Sequence, residues 1–516
     1  MKKFYVTTPI FYPSGKPHLG HAFSALYASL LAEYKRLLGY DVYFATGTDE
    51  HGQKIEETAK SKNITPQELV DNNSDVFKKL WNKMGIRYDY FIRTTNSCHK
   101  KAVQETFDFL LKKGFIYLGN WRGLYCISCE ENYTENSAIK KDSEFFCEHG
   151  HKLVSKNEES YFLKIKSFNE WIINMLSNNK DFIYPHNRSK ELINNFLSDG
   201  KLEDLSITRT TFEWGIKTLV NSKHVIYVWL DALLNYITLL GYKSDDDSNF
   251  KKYWISDDCE KVHLIGKEIT RFHCIYWPII LKMLDLPLPN KIISHGWIIT
   301  NTGKMSKSLG NVIDPTDIID NYGKDAFRYF LAKEISIKDD SVYSDDKFIT
   351  TFNTDLANNY GNLINRTIGM LKKYNNNIVP KYNGPITYND FLIVKTQNEF
   401  LSKAKELIDD LNIKDLIDLI CDFENKINNY IEQSKPWDFL KNNMKQNLDS
   451  FLSILVNLIR TTIAFLKPIL IDATELAIQQ LNFDKEILLI DSLKDFSKVD
   501  NITVNEAKPI FVRISQ

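Results

Sequence analysis

The opening of the chain alternates between strand-like and helix-like hydrophobic patterns, and this alternation constrains the fold more than any other feature of the sequence. Residues 3–8 form a short apolar run typical of a strand. From Gly20, apolar side chains recur at helical spacing until Gly39, and a second apolar run covers residues 40–45. Strand, helix and strand in this order make a βαβ unit, so we predict an α/β fold with a doubly wound, Rossmann-type parallel sheet.

The sheet pattern is interrupted and later resumes. Between residues 114 and 221, aromatic residues, cysteines and charged turns replace the alternation, and strand-like apolar runs return around Val262 and Ile292. After residue 350 the apolar spacing is helical, with an asparagine-rich stretch at 372–384 that we predict to be a loop. We therefore expect a connective insertion within the sheet and an all-α helix bundle after it. The predicted boundaries are 1–113 and 222–315 for the two halves of the nucleotide-binding domain, 114–221 for the insertion, 316–350 for a linking segment and 351–516 for the bundle.

Composition excludes several classes of protein. The 65 lysines and arginines nearly balance the 66 aspartates and glutamates, so any contact with RNA must come from local patches and not from a global basic field. The first residues lack the apolar core of a signal peptide, and no stretch of about 18 uncharged apolar residues suggests a membrane span. Seven cysteines without a secretion signal favour a reducing compartment and metal binding over disulfide bonds. We expect a cytoplasmic protein without a membrane partner.

Two histidines lie where the first helix begins. The loop 13–21 ends with His18, Gly20 and His21. A helix N-terminus favours phosphate because of its exposed N–H groups and its dipole, and glycine leaves room for a flat purine beside the backbone. Taken alone, two histidines three residues apart are more often structural or surface residues, so this loop needs a second element to indicate nucleotide chemistry.

The second element is the basic loop Lys304–Ser308, with the sequence Lys-Met-Ser-Lys-Ser, flanked by glycines. Lys304 and Lys307 are suited to neutralising pyrophosphate as it leaves, because a cation aimed at oxygens that gain negative charge lowers the barrier without covalent catalysis. The alternative is a solvated charged loop, which is usual for lysine-rich turns.

The pair of motifs resembles the two signatures of the class I aminoacyl-tRNA synthetases, and the surrounding residues resemble the methionine–tRNA ligases of that class. The matching blocks are residues 8–13, 46–52, 227–232, 265–273 and 435–437. The resemblance implies ATP-dependent activation of L-methionine to methionyl adenylate, then transfer to the 3′ end of methionine tRNA, initiator and elongator. Other members of the class match less well. The isoleucine, valine and leucine enzymes carry larger insertions than this chain, and the cysteine enzymes bind their substrate at a zinc ion in the active site, whereas the cysteine cluster of this chain lies in the insertion. The alternative of another class is a synthetase-like RNA-binding protein without catalysis.

The resemblance also implies which residues bind the small substrates. The methionine pocket would be lined by Ile10, Tyr12, Trp229, Ala232, Tyr236, Ile269 and His273, with Asp49 pairing with the substrate ammonium. The ATP site would comprise His18 and His21 at phosphate and ribose, Gly20 at adenine, Gly266 and Glu268 on the ribose side, His295 at the adenine border and Lys307 at the phosphates. Charge neutralisation during catalysis would fall to His18, His21, Lys304 and Lys307, with Mg²⁺ accompanying ATP.

A cluster of cysteines and histidines lies inside the predicted insertion. Cys126 and Cys129 precede Cys147, His149 and His151, a spacing that suits one tetrahedral zinc ion held by three cysteines and one histidine. Either His149 or His151 could be the fourth ligand. The role we predict for Zn²⁺ is structural, because a small insertion has little hydrophobic core of its own.

In the helical region the resemblance implies recognition of an anticodon. Asn362 and Arg366 match the base-reading positions, and Trp437 matches a residue that stacks on an unstacked anticodon base. The expected partner is methionine tRNA, bound at its acceptor end and at its CAU anticodon. The chain ends at Gln516 without the extra C-terminal tRNA-binding domain through which some members dimerise, so we expect a monomer.

Overall fold

The computed structural model describes residues 1–128, 131–133, 138–142, 144–147, 150–300, 303–304 and 313–515. The strands in these residues are, in chain order, β1 (Lys3–Phe11), β2 (Asp41–Thr48), β3 (Tyr90–Arg93), β4 (Ile116–Cys126), β5 (Glu131–Tyr133), β6 (Ile139–Lys141), β7 (Glu144–Phe146), β8 (Val154–Leu163), β9 (Ile183–Tyr184), β10 (Leu205–Ser206), β11 (Thr208–Arg209), β12 (Val225–Ile226), β13 (Cys259–Gly266), β14 (Lys291–His295), β15 (Ile298–Thr300), β16 (Gly303–Lys304) and β17 (Ser341–Val342). The α-helices in the same residues are α1 (Leu19–Leu37), α2 (Gln53–Ser61), α3 (Pro66–Lys83), α4 (Ser97–Lys112), α5 (Asn169–Asn178), α6 (Asn187–Leu192), α7 (Val228–Thr238), α8 (Trp277–Met283), α9 (Pro315–Tyr322), α10 (Lys324–Glu334), α11 (Asp345–Thr351), α12 (Asn362–Asn375), α13 (Tyr388–Asp409), α14 (Ile413–Ser434), α15 (Pro436–Lys441), α16 (Lys445–Leu466) and α17 (Ile471–Leu481).

The centre of the molecule is a parallel sheet with the strand order β3-β2-β1-β13-β14-β9. The predicted α/β class is confirmed, and the strand, helix and strand expected from the opening pattern are β1, α1 and β2. The chain winds outward in both directions from the β1–β13 pair, so the crevice beyond the carboxyl ends of these strands is the topological switch point at which such sheets bind ligands.

Each face of the sheet is buried in its own core, because successive side chains of a strand point to opposite sides. Phe4 and Val6 face a core shared with α1 and the helix bundle. Tyr5 faces a second core, which contains much of α7 and α8. The two faces therefore place α1 and α7 on opposite sides of β1, near the same crevice.

The insertion contains a sheet of its own, with the order β10-β8-β4-β5 and antiparallel pairing. Within the predicted range 114–221, however, β9 pairs with β14 in the central sheet. Phe182 and Ile183 are fully buried in the same core as Tyr5, and this apolar surface holds the segment against the sheet. One short strand of the central sheet thus lies within the predicted range, and the chain then returns to the insertion's own sheet at β10.

The C-terminal third forms the predicted helix bundle, and Arg328 ties it to the sheet domain. The Arg328 guanidinium, in α10, is buried and donates to the main-chain carbonyls of Met84 at 2.9 Å, Pro468 at 2.5 Å and Ile469 at 2.8 Å. Met84 follows α3 of the sheet domain, whereas Pro468 and Ile469 follow α16 of the bundle. One side chain thus satisfies carbonyl groups from both halves of the molecule.

The loop predicted at 372–384 is wrong over its first four residues, because α12 continues to Asn375. The helix ends where Asn376 adopts a left-handed conformation, with φ 51°. Asparagine tolerates this conformation better than most residues, so the end of the helix is set by one asparagine and not by the start of the asparagine-rich stretch.

In the part of the chain that the structure describes, α16 alone is long and apolar enough to cross a membrane by length and composition. Its apolar window is 94% buried inside the protein. The helix is therefore explained by its place in the core of the bundle.

Candidate active site

Two imidazoles lie at the N-terminus of α1, near the end of β1. His18 is the N-cap residue, and its Nδ1 atom accepts a hydrogen bond from the Gly20 N–H at 3.1 Å. The His21 Nδ1 atom accepts from the His18 N–H at 3.2 Å, and the two rings stack with centroids 3.8 Å apart. A ring nitrogen that accepts a hydrogen bond carries no proton, so the N–H donor of each ring is Nε2. Main-chain and imidazole donors therefore occur together at this helix end, which suits phosphate oxygens.

Gly20 lies in close contact with one of these rings. A Cβ atom at residue 20 would lie 3.0 Å from Cε1 and 3.2 Å from Nδ1 of His18. The ring would have to shift to accept it. Space for a purine at Gly20 remains a prediction from the sequence, whereas the contact with His18 gives a second reason for glycine.

The turn after β2 brings Asp49 to the same edge of the sheet. The Asp49 N–H donates to the Phe11 carbonyl at 3.0 Å, so the turn lies beside the end of β1. The neighbouring Glu50 carboxylate is fully buried and accepts from Arg93 Nε at 2.7 Å and from Thr48 Oγ1 at 2.7 Å. Glu50 therefore stabilises the turn that carries Asp49.

An aromatic wall is built from α7 and the segment after β13. The Trp229 indole stacks on the Phe272 ring with centroids 3.6 Å apart. His273 Nδ1 lies 2.9 Å from the Ile269 carbonyl oxygen, and its Nε2 lies 2.7 Å from the Tyr236 hydroxyl. Because a carbonyl oxygen only accepts, Nδ1 carries the proton and Tyr236 donates to Nε2. Burial lowers the pKa of His273 to about 4, so this wall is uncharged at neutral pH.

The structure brings most of the predicted methionine-binding residues together. The members that pack in the core on the α7 side of the sheet are Ile10, Trp229, Tyr236 and Ile269. Ala232 is buried on α7, about one turn after Trp229 and one turn before Tyr236. Tyr12 packs elsewhere, with Trp214 in the small apolar cluster of α2 and α3.

Behind the aromatic wall lies a histidine that sequence reasoning missed. His263, in β13, is fully buried; its Nδ1 lies 2.8 Å from Thr7 Oγ1, and the Trp277 indole N–H donates to its Nε2 at 3.3 Å. Its ring lies against Tyr236 with centroids 4.1 Å apart. Burial lowers the pKa of His263 well below its ordinary value, so the ring is a neutral support. A polar residue inside the apolar run of β13 was the available signal.

His295 connects β14 to α1. Its Nδ1–H donates to the Gly296 carbonyl at 2.7 Å, and its Nε2 accepts from the Ser24 hydroxyl at 2.7 Å. Burial lowers the pKa of His295, which agrees with a neutral ring holding one proton. Because Ser24 is in α1, this hydrogen bond fixes the end of β14 against the helix that begins at the histidine pair.

The other residues predicted to bind ATP lie at the end of β13 or outside the described residues. A Cβ atom at Gly266 would lie 2.4 Å from a carboxylate oxygen of Glu268, so the backbone approaches this carboxylate closely. Glu268 Oε2 accepts from the Trp297 indole N–H at 2.9 Å. Lys307 and the side chain of Lys304 lie outside the described residues.

Arg209, in β11, is a second buried residue that sequence reasoning missed. Its guanidinium lies 4.3 Å from the centroid of the Tyr227 ring and donates to the Thr208 carbonyl at 2.7 Å and to Ser206 Oγ at 2.8 Å. Tyr227 directly precedes α7, so Arg209 packs against the start of the helix that carries Trp229. In the sequence, a lone arginine among threonines is typical of a solvated turn and gives no signal of burial.

Candidate metal ligands gather in the insertion. Cys126 and Cys147 are fully buried, and His151 Nδ1 lies 3.4 Å from Cys147 Sγ and 3.9 Å from Cys126 Sγ. The three ligand atoms all lie within 4.8 Å of one another. Atoms that bind one tetrahedral zinc ion lie about 3.5 Å apart, so this donor set fits zinc. Cys129 and His149 lie outside the described residues.

The residues predicted to read an anticodon lie on α12 and α15 of the bundle, and an ion pair joins α12 to α14. Asn362 is exposed at the start of α12. Arg366, one turn later, pairs with Glu432 near the end of α14, with Nη2 and Oε1 2.7 Å apart. Trp437 follows in α15, with 37% of its surface exposed, and α15 begins at the proline before it.

Known proteins resemble this chain over nearly its whole length. The sequence profile described as tRNA synthetases class I (M) matches residues 4–149 and 143–368. The methionine–tRNA ligase of Ureaplasma parvum serovar 3 is 51% identical over 514 residues, which are 99% of this chain and 98% of that protein. The methionine–tRNA ligase of Bacillus subtilis is 40% identical over 521 residues, 99% of this chain and 78% of that protein.

A solved structure shows the same likeness in three dimensions. The structure of Mycobacterium tuberculosis methionyl-tRNA synthetase in complex with methionyl-adenylate is similar with a TM-score of 0.94 at 33% sequence identity, covering 99% of this chain and 100% of that one. Together, the profile, the relatives and the structure agree with the pair of signatures and the site geometry. This chain belongs to the methionine–tRNA ligases, enzymes of the class I aminoacyl-tRNA synthetase family.

Proposed function

We propose that this enzyme activates L-methionine with ATP to methionyl adenylate and then transfers the methionyl group to the 3′ end of methionine tRNA, both initiator and elongator. The observation that carries the proposal is the meeting of a donor-rich helix N-terminus and an uncharged aromatic wall at one edge of a parallel sheet. In α/β proteins this edge is where ligands bind. The mycobacterial relative, bound to methionyl-adenylate, supports the same reading.

In the first step the methionine carboxylate attacks the α-phosphorus of ATP and pyrophosphate leaves. The chain has to orient the two substrates and stabilise the charge that develops on phosphate oxygens. The Nε2–H groups of His18 and His21, together with the positive end of α1, are the donors for these oxygens. Lys304 and Lys307 are proposed to neutralise the departing pyrophosphate. Magnesium bound with ATP would supply further neutralisation of the phosphate charge.

Selection of methionine rests on the aromatic wall and on Asp49. A thioether is polarizable and apolar, and the stacked Trp229–Phe272 pair offers it a flat apolar surface. A charged His273 would repel the substrate ammonium, whereas the neutral ring does not. Asp49, in the turn beside β1, is proposed to pair with that ammonium.

The donor set Cys126, Cys147 and His151 is proposed to hold one structural zinc ion, with Cys129 as the fourth ligand. Zinc would supply a rigid tetrahedral link between strands whose own core is small. This choice takes His151 and not His149 as the histidine ligand, because its Nδ1 faces both buried sulfur atoms.

Transfer to tRNA requires contacts at both ends of that molecule. Asn362, Arg366 and Trp437 are proposed to recognise the CAU anticodon, the first two by hydrogen bonds and the third by stacking. The exposure of Asn362 and of Trp437 leaves both side chains open to solvent. The acceptor end would reach the crevice of the sheet, and we propose that the enzyme works as a monomer in the cytoplasm.

The proposal is tested by ATP–pyrophosphate exchange across the twenty amino acids, with zinc measured in the same preparation. Exchange driven by methionine and about one zinc per chain are the expected results. Exchange driven by another amino acid would overturn the assignment of the pocket. Folded protein without any exchange would contradict catalysis itself.

Two variants divide the site into its halves. His21→Leu removes a proposed phosphate donor, so exchange should slow about 100-fold while methionine binding stays unchanged. Trp229→Ala removes the stacked wall, so the KM for methionine should rise while the KM for ATP stays unchanged. Equal effects of both variants on both substrates would contradict this division.

A further inference from the structure

Helix α7 carries two stripes of side chains on different faces. Trp229, Ala232 and Tyr236 follow helical spacing on the face of the proposed pocket. Asp231 and Thr238 lie two turns apart on another face, and both are buried. Apolar packing is not directional, so a largely apolar, buried helix needs directional contacts to fix its rotation. The second stripe supplies such contacts.

Asp231 is fully buried between two histidines from different parts of the chain. Its Oδ2 lies 2.6 Å from Nδ1 of His51, which follows β2, and its Oδ1 lies 2.7 Å from Nε2 of His99, in α4. His99 is itself fully buried, and its Nδ1 lies 2.7 Å from Thr238 Oγ1. The hydrogen bonds thus lead from the turn after β2 through α7 to α4 and back to α7.

The direction of each hydrogen bond follows from the carboxylate. The two imidazoles hold the pKa of Asp231 below its ordinary value against the opposing effect of burial, so the group is ionised and only accepts. His51 Nδ1 and His99 Nε2 therefore carry the protons. The hydrogen bond between His99 Nδ1 and the Thr238 hydroxyl joins the same imidazole to a second residue of α7.

We propose that Asp231, with His51 and His99, is a positioning device that sets the rotation of α7 relative to the turn carrying Asp49. His51 lies two residues after Asp49, so one hydrogen bond joins the turn that carries the proposed ammonium partner to the helix that forms the proposed side-chain pocket. None of these three residues is proposed to touch methionine. The inference rests on the proposed function, because it assigns α7 to the methionine pocket.

The test is the KM for methionine in exchange, compared with the KM for ATP. His99→Leu should raise the KM for methionine about tenfold or more, because a hydrogen bond to a buried charge is lost. The KM for ATP should stay within about twofold, since none of the residues proposed to bind ATP lies on α7. His99→Gln, which can place an amide N–H near the position of Nε2, should recover most of the loss.

A milder variant and a matched control distinguish a positioning role from a general loss of folding. Thr238→Val is nearly isosteric and removes only the hydroxyl that orients His99, so it should raise the KM for methionine a fewfold, about threefold. The control is His224→Gln: His224 is also buried, with Nδ1 3.0 Å from Thr208 Oγ1 and Nε2 3.1 Å from Glu159 Oε1. Because its partners lie on β8 and β11, the control should leave the ratio of the two KM values unchanged.

Two results would overturn the positioning role. The first is an equal rise of the KM for methionine and the KM for ATP in both His99→Leu and Thr238→Val. The second is a change of the ratio of these two KM values in His224→Gln that is as large as the change in His99→Leu. Failure of the proposed function has a separate signature, which is the absence of methionine-driven exchange in the unaltered enzyme. If another amino acid drives exchange, the same ratio measured with that amino acid decides the role of Asp231.

Discussion

Acidification should destabilise this enzyme in part through one buried imidazole, that of His273. Burial lowers the pKa of His273 from its ordinary value of 6.5 to about 4, although its hydrogen bond to the Ile269 carbonyl favours the cation. The unfolded chain takes up this proton near pH 6.5, whereas the folded chain does so only near pH 4. Between these values the unfolded state holds more protons, so stability falls as the pH falls.

The size of the effect follows from the same two values. At pH 5 this histidine should cost the folded state about 2 kcal/mol relative to pH 7.5, and the loss should approach about 3 kcal/mol below pH 4. The physical reason is that a protonated His273 is a buried charge and no longer accepts the Tyr236 hydroxyl at Nε2.

The measurement is urea unfolding of the unaltered enzyme and of His273→Gln at pH 7.5 and pH 5. Other groups titrate in both proteins, so the difference between their losses isolates His273, and it should be about 2 kcal/mol. His186→Gln is the control, because His186 is exposed and bonds only to the Lys180 carbonyl among the hydrogen bonds of the described residues. An equal loss in His273→Gln and in the unaltered enzyme would show that His273 is not held neutral by burial.

Three further substitutions test other parts of the structure. Gly20→Ala should displace the His18 ring and slow exchange about tenfold or more, with an unchanged circular dichroism spectrum; full activity would show that the ring tolerates the added carbon. Arg328→Met leaves three buried carbonyl groups without their donor, so the free energy of unfolding should fall by about 3 kcal/mol or more in denaturant titration, and a smaller change would mean that these carbonyls find other partners. Cys147→Ser should abolish zinc retention, measured by atomic absorption, whereas Cys98→Ser, at an exposed cysteine, should not; zinc retained in Cys147→Ser would exclude this sulfur as a ligand.

Much of the fold could be predicted because it is encoded in local patterns. The βαβ opening follows from apolar runs of two different periods within a short stretch, and α15 begins at Pro436 because proline suits the first turn of a helix. The position of α1 is likewise local, since the side chain and backbone of His18 cap its first turn. The prediction of a loop at 372–375 was wrong, because an asparagine-rich composition does not indicate which asparagine ends the helix.

Other features depend on residues far apart in the sequence. β9 is only two residues long, and nothing in its own pattern indicates that it pairs with β14. Arg209 is buried because aromatic rings and main-chain acceptors surround it, which its polar neighbours in the sequence do not reveal. His151 is distinguished as a candidate ligand by its distance from Cys126 and Cys147, whereas spacing alone left two histidines open.

The sequence by itself determined the class of fold, the family signatures and most of the residues proposed to bind substrate, because each is carried by residue type and short-range spacing. Only the tertiary structure decided the protonation and orientation of the side chains at the site. The neutral state of His273 and the ionised state of Asp231 arise from burial and from partners on separate elements. A pKa depends on the surroundings in space, so chemistry of this kind is fixed only when the chain folds.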